Sequence, residues 1–225
     1  MASKPKIAVV LSGCGVYDGA EIHESVLTLL ALDRQGAEYQ CYAPNVDQRH
    51  VINHLTGEEM DETRNVLVES ARIARGGIKD LKELDVAGVD AIVFPGGYGA
   101  AKNLSSFAFD GSDCSVQDDV ARVVKDAVAA GKPLGALCIM PAVMAKLLDG
   151  AEVTVGQDAD TVSAIEGMGA RHRTATHGEI VIDAAHRLVT TPCYMIESTV
   201  SQVADGIENA VRAVLDMVRE DRAAA

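Results

Sequence analysis

Positive charge, paired cysteines and long apolar runs are all scarce in this sequence, and each shortage removes a class of function. Lys and Arg number 20 against 33 Asp and Glu, for a formal charge of -13, and the basic residues are scattered rather than gathered in a stripe. Nucleic acid and anionic membrane both need local positive charge, so neither is expected as a partner. The least polar stretch, Pro133 to Ala145, contains an internal proline and is too short to span a bilayer. The opening residues Met1-Ala-Ser-Lys-Pro-Lys6 run directly into a strand pattern and carry no apolar secretory core. The five cysteines, Cys14, Cys41, Cys114, Cys138 and Cys193, contain no Cys-x-x-Cys pair. Neither a disulfide framework nor a zinc site is indicated, and no metal or cofactor is expected. Free thiols in the reducing cytosol are the expectation. No repeat, linker or low-complexity segment interrupts the chain, and no Asp-rich diphosphate site occurs.

What is present is a folded α/β pattern. A hydrophobic fraction of 48% with 24% charged residues is ordinary for an ordered protein. Lys6 to Leu11 is a β-branched run that feeds the tight loop Ser12-Gly-Cys-Gly15, and Ile22, Val26, Leu29 and Leu30 follow at helical spacing up to Gly36. A second strand is expected at Tyr39 to Ala43. From Val46 to Lys79 the chain turns polar, with a predicted helix over Glu62 to Ala74, and reads as an insertion beside the sheet. Asp90 to Phe94 and Pro133 to Leu137 are further buried strands. A glycine-rich loop runs from Pro95 to Leu104, and helices are predicted over Val116 to Ala130 and Pro141 to Leu148. Strand-like pieces at Glu152 to Val155, Glu179 to Asp183 and Arg187 to Thr190 precede a closing helix marked by Ile196, Val200, Val203, Ile207, Val211 and Leu215. Alternating strands and helices imply a mostly parallel sheet covered on both faces, formed by a single domain over residues 1–225 with a polar insertion at about 46–79.

In such a sheet the ligand crevice lies at the carboxyl ends of the strands. Three loops meet that condition: Ser12 to Gly19, Pro95 to Leu104, and the turn at Cys138. Gly135-Ala-Leu-Cys-Ile-Met-Pro141 resembles a nucleophile elbow with cysteine in place of serine. Helix amides behind such a turn can stabilise a thiolate and an oxyanion. The bland alternative is a buried apolar cysteine ending a strand. Pro95-Gly-Gly-Tyr-Gly99 could bring backbone N–H groups close to a ligand, or could be a plain turn. Glu24 sits in the first turns of the first helix, where an acid is favourable for reasons unrelated to chemistry. His23 beside it reads equally as a surface histidine.

Together these pieces resemble the ElbB group of the ThiJ/PfpI branch of the class I glutamine amidotransferase-like superfamily. The resemblance rests on Leu11-Ser-Gly-Cys-Gly-Val-Tyr-Asp-Gly19, Glu21-Ile-His-Glu24, Val51-Ile-Asn-His-Leu-Thr-Gly57, Thr63-Arg-Asn65 and Pro95-Gly-Gly-Tyr-Gly-Ala-Ala-Lys-Asn-Leu104, and covers Lys6 to about Leu215. It implies a flavodoxin-like three-layer sandwich, a homodimer, a nucleophilic Cys138 and a glutamate, Glu24, beside its sulfur. Gly97 and Ile139 would supply oxyanion amides, and Gly96, Cys14 and Asn103 complete the expected pocket; Cys14, at a crevice loop, reads equally as a second redox-active thiol or as a loop cysteine without function. The sequence departs from many members where Ile139, not histidine, follows the nucleophile, and where Gln157-Asp158 stand in a later loop. His177-Gly-Glu179 imitates the His-x-Glu signature of glutamine amidotransferases but comes early and introduces a strand, so it is read as coincidental. Cys193 has no feature that raises it above a structural residue.

The expected function is a cofactor-independent glyoxalase-type conversion of small α-oxoaldehydes, with repair of glycation adducts as a use of the same thiol chemistry. A non-enzymatic redox-sensing or binding protein built on Cys138 is the second reading. A glutaminase subunit is the third, and the missing histidine weakens it.

Overall fold

The computed structural model describes residues 3–224. Met1, Ala2 and Ala225, which the expected 1–225 domain includes, lie outside the described residues. Period-two alternation along the apolar runs decides the architecture, because successive side chains on a strand point to opposite faces. In β1 (Lys6–Val10), Ala8 and Val10 enter one hydrophobic core while Ile7 and Val9 enter another. Two cores on one strand mean that helices must cover both faces. The first helix, α1 (Ile22–Arg34), is followed by β2 (Glu38–Ala43), α2 (Val66–Ile73) and β3 (Ile78–Asp80). Next come β4 (Ala91–Phe94), the short helices α3 (Tyr98–Lys102) and α4 (Phe107–Asp110), then α5 (Asp118–Ala129), β5 (Leu134–Leu137) and α6 (Met140–Leu147). The chain finishes with β6 (Glu152–Val153), α7 (Ala159–Gly167), β7 (Arg171–His172), β8 (Val181–Asp183), β9 (Leu188–Thr191) and α8 (Val200–Ala224).

Seven strands form one sheet in the order β3-β2-β1-β4-β5-β9-β8, and only β8 runs antiparallel to its neighbour. The result is an α/β flavodoxin-like sandwich. Residues of α5, α6 and α7 pack on one face, around Val120, Val124, Met140, Met144 and Ile165. Helices α1, α2 and α8 cover the other, through Leu32, Val66, Ile207, Val211 and Leu215. Because β1 sits between β2 and β4, the strand order runs outward in opposite directions on its two sides, and a crevice opens where the order reverses. The loops after β1, β4, β5 and β9 all reach that edge.

Several elements differ from the sequence-based expectation. Helix α2 starts at Val66 rather than Glu62, because the Asn65 side chain accepts a hydrogen bond from the Val68 amide and sets the N-terminus there. The polar segment is not wholly beside the sheet: its end, Ile78–Asp80, pairs in parallel with β2 as an edge strand. Tyr98–Lys102, expected as loop, is a short helix, and Ala159–Gly167 is a helix that the sequence reading passed over. Glu152–Val153 leaves the main sheet and pairs with Arg171–His172. The closing helix begins at Val200, so Ile196 lies outside it. No helix among the described residues is long and apolar enough to cross a membrane.

Candidate functional site

Strand β5 ends at Leu137 and α6 begins at Met140, so the chain must reverse within two residues. It does so by placing Cys138 in the left-handed region, at φ +61°. A side chain at such a position is lifted out of the sheet toward the crevice, and non-glycine residues adopt it only when the surroundings over-determine it. The Cys138 amide donates to Thr191 O at 3.0 Å, tying the elbow to the end of β9.

Glu24 lies one turn into α1 and is completely buried. Glu21 caps the helix by accepting from the Glu24 amide at 2.6 Å. The Glu24 carboxyl reaches across the crevice: Oε2 accepts from the Gly96 amide at 3.0 Å and Oε1 from the Tyr194 amide at 3.4 Å. Its third partner is the Cys138 thiol. Two more amides, those of Gly97 and Ile139, donate to the same sulfur. The structure therefore brings Cys138, Glu24, Gly96, Gly97 and Ile139 into one contact set.

Glycine is required at 96 by space and at 97 by both space and backbone conformation. A Cβ on Gly96 would lie 2.3 Å from the Cys138 Cβ and 2.7 Å from Glu24 Oε2. One on Gly97, where φ is +97°, would lie 2.3 Å from the Glu21 amide nitrogen. Backbone and carboxyl are pressed together without room for one methyl group.

Burial pushes the Glu24 carboxyl up from its usual value near 4.5 to about 7, with the nearby Glu21 carboxylate adding to the rise. Burial also pushes the Cys138 thiol well above its usual range, and Glu24 raises it further. Desolvation disfavours the charged form of both groups, and each opposes charge on the other. The order of the two matters. When the pair holds one proton, that proton stays on sulfur, and the thiol donates to the carboxylate. The amides of Gly97 and Ile139 lower the thiol pKa, but burial and Glu24 outweigh them.

Above the sulfur is a cavity of about 260 Å³ whose lining includes Cys138, Ile139, Glu21, Tyr98, Phe107, Asp158 and Tyr194. Neither Cys14 nor Asn103 is part of that lining. Asn103 is a structural clip instead: its Nδ2 donates to Ser12 O and Asp18 O, and its Oδ1 accepts from the Arg49 amide. Cys14 is half-buried near Glu69 and Arg72. His177 and Glu179 also stand apart from the cavity; His177 Nε2 lies 2.8 Å from Glu197 O, and Glu179 accepts from Thr176. No group of three His, Cys, Asp or Glu side chains placed to hold a metal ion occurs among the described residues.

Sequence reasoning read Cys193 as structural and overlooked Tyr194 and Met195 beside it. This segment follows β9, so the rule that loops at strand carboxyl ends build the crevice applied to it as well. Tyr194 lines the cavity, with its hydroxyl 2.8 Å from His23 Nδ1, and Cys193 is buried against the elbow.

No family model matches the chain. It is 50% identical over 222 residues to the human glutamine amidotransferase-like class 1 domain-containing protein 3, mitochondrial, covering 94% of this chain and 83% of that protein. The rat ES1 protein homolog, mitochondrial, is 48% identical over 95% of this chain and 84% of its own length. Among solved structures, an isoprenoid biosynthesis protein with amidotransferase-like domain from Ehrlichia chaffeensis superposes with a TM-score of 0.88 at 37% identity, covering 94% of this chain and 99% of that one. A ThiJ/PfpI domain protein from Brachyspira murdochii shares the fold, with a TM-score of 0.59 at 18% identity over 96% of this chain and 99% of that one. The chain belongs to the glutamine amidotransferase-like class 1 family of these relatives, on the fold of the ThiJ/PfpI proteins. For this amidotransferase-like protein the cytosolic expectation is corrected, because human, rat and zebrafish relatives are named as mitochondrial proteins. Unpaired thiols fit a reducing environment but do not say which compartment provides it.

Two outcomes follow from this packing. Gly96→Ala should destabilise the protein by about 1–3 kcal/mol in chemical denaturation, the usual cost of forcing a methyl group into a filled site. Glu24→Gln should raise Tm by a margin that depends on pH. A carboxyl whose folded pKa is raised from about 4.5 to about 7 contributes stability that is fully present below 4.5 and lost as pH rises to about 7. The Tm gap between variant and wild type should widen across that window and then level off; a gap independent of pH would show that Glu24 titrates normally.

Proposed function

We propose that this protein is a cofactor-independent, cysteine-dependent enzyme of glyoxalase type that converts small uncharged α-oxoaldehydes such as glyoxal to 2-hydroxy acids. The observation that carries the reading is the hydrogen bond between the Cys138 thiol and the Glu24 carboxyl beneath the cavity, with the Gly97 and Ile139 amides aimed at the same sulfur. The thiol adds to one carbonyl carbon while Glu24 takes the S–H proton and passes it to the carbonyl oxygen, giving a hemithioacetal. Glu24 then takes the proton from that carbon, and its return to the neighbouring carbon yields a thioester of glycolate. Water cleaves the thioester and releases glycolate and the thiol. Glyoxal plus water equals glycolic acid, so the balance needs no electron donor or acceptor.

The cavity wall supports an uncharged substrate. Its lining includes the carboxyl groups of Glu21 and Asp158 and no Lys, Arg or His side chain. A carboxylate or phosphate ester would meet only like charge there.

The test is turnover of glyoxal by the purified protein. Cys138→Ala should abolish it, Glu24→Gln should reduce it by about 10²–10⁴-fold, and the double variant should be little worse than Cys138→Ala alone, because groups acting as a unit are not additive. In the wild type, kcat/KM should fall on the acid side of about pH 7, where Glu24 takes up its proton. Near wild-type turnover in Glu24→Gln would overturn the mechanism. His177→Ala and Glu179→Ala should both keep turnover within a few-fold of wild type, since neither side chain reaches the cavity; a large loss of kcat in a folded variant would favour the glutaminase reading.

A further inference from the structure

Cys193 plays no part in the aldehyde mechanism, yet it is the thiol packed against the elbow. Strands β5 and β9 are parallel neighbours with Leu137 opposite Thr191, so Cys138 and Cys193 follow one and two residues beyond the same rung. Neighbouring strands lie about 4.8 Å apart and rise about 3.3 Å per residue. The strand ends that deliver the two cysteines therefore lie within the range of Cα separations that a disulfide accepts. The Cys138 amide donates to Thr191 O, which ties the elbow to the strand end that delivers Cys193. Among the described residues only four non-glycine residues have positive φ, and two of them are these cysteines, at +61° and +46°. Both are free thiols, and both belong to the same hydrophobic cluster.

Their access to solvent differs. Cys138 lines the cavity and Cys193 does not, so a small oxidant entering the cavity meets Cys138 first. We propose that Cys193 is a resolving thiol for Cys138, making the two a reversible dithiol–disulfide couple driven by a hydroperoxide. In the first step the Cys138 sulfur attacks the outer peroxide oxygen. The O–O bond breaks, a sulfenic acid forms, and the thiol proton, passed through Glu24, leaves with the alcohol or water. In the second step the Cys193 sulfur attacks the Cys138 sulfur, the S–O bond breaks, and the sulfenic hydroxyl leaves as water with the Cys193 proton. Peroxide is reduced by two electrons and the two thiols are oxidised by two. A dithiol reductant returns both to thiols. This couple uses Cys138 but not the aldehyde chemistry, so it stands or falls independently of glyoxal turnover.

The test uses the reduced, full-length protein and one equivalent of hydrogen peroxide, followed by alkylation and tryptic mapping. Cleavage at Lys146, Arg171, Arg173 and Arg187 separates the two cysteines. The expected result is an intact mass lower by two hydrogens and a cross-linked peptide pair containing Cys138 and Cys193, both reversed by dithiothreitol. In Cys193→Ser the sulfenic acid should persist long enough to be trapped by dimedone and should advance to sulfinic acid with excess peroxide. Should that variant fail to fold, the wild-type map alone decides. Recovery of Cys138 as sulfinic acid with Cys193 still alkylatable, a cross-link to Cys14, Cys41 or Cys114, or no modification of Cys138 would each overturn the proposal.

Discussion

A carboxyl group with no exposure to water, pressed against a thiol that is itself buried, is the arrangement on which the rest of the site depends. Burying an ionisable group without partners is costly, and here Glu21 adds like charge from one turn away. Part of that cost is offset by the three donors that converge on Glu24: the amides of Gly96 and Tyr194 and the Cys138 thiol. Those donors come from three different loops, after β4, β9 and β5. A shift of any one loop would leave the carboxyl short of a partner, so the site constrains the sheet edge as much as the sheet positions the site. The remainder appears as the raised pKa, the signature of a group held in place by its surroundings.

The two strained cysteines express the same constraint in the backbone. Residues other than glycine held in the left-handed region cost on the order of 1–3 kcal/mol each. Cys138 accepts that conformation because the strand-to-helix reversal leaves two residues for the turn, and because glycine at 96 allows the β4 loop to lie against it. Cys193 accepts it at the start of a single 3-10 turn that swings Tyr194 and Met195 over the cavity. The sheet supplies rigidity for this: β5 is bonded on both sides, to β4 and β9, so the strand ends cannot relax independently.

The strands that hold the site were legible because each is a continuous apolar run bounded by turn residues: Lys6 to Leu11, Asp90 to Phe94 and Pro133 to Leu137. Strand β3 was not, because Ile78-Lys-Asp80 offers three residues behind Gly76-Gly77 and no alternation to count. Helix α7 was missed for a related reason: only Ile165 on it is buried, so it shows almost no apolar stripe, and its one signal was Asp158 positioned to cap the Thr161 amide. At the site, Cys138 could be singled out from the elbow pattern and Glu24 from family resemblance, but their protonation could not be read from sequence. Whether helix amides or burial dominates at a sulfur depends on what surrounds it in three dimensions. Cys193 was read as structural and Tyr194 was passed over although both follow a strand end, because β9 lies far from β5 in sequence and adjacent to it only in the sheet.

The absence of a histidine beside Cys138 has a physical counterpart in how Glu24 titrates. A general base works best when its pKa lies near the working pH, the range an imidazole occupies without adjustment. Burial and the neighbouring Glu21 bring a carboxyl to the same range, about 7, from the other direction. The two solutions are not equivalent. An imidazole that takes up a proton becomes cationic and would stabilise a thiolate, whereas a carboxyl that does so becomes neutral and merely stops repelling it. In the proposed mechanism the stabilisation of sulfur's negative charge therefore falls to the amides of Gly97 and Ile139. That division of labour explains why the glycine loop must approach so closely: the carboxyl moves the proton, and the backbone holds the charge the proton leaves behind.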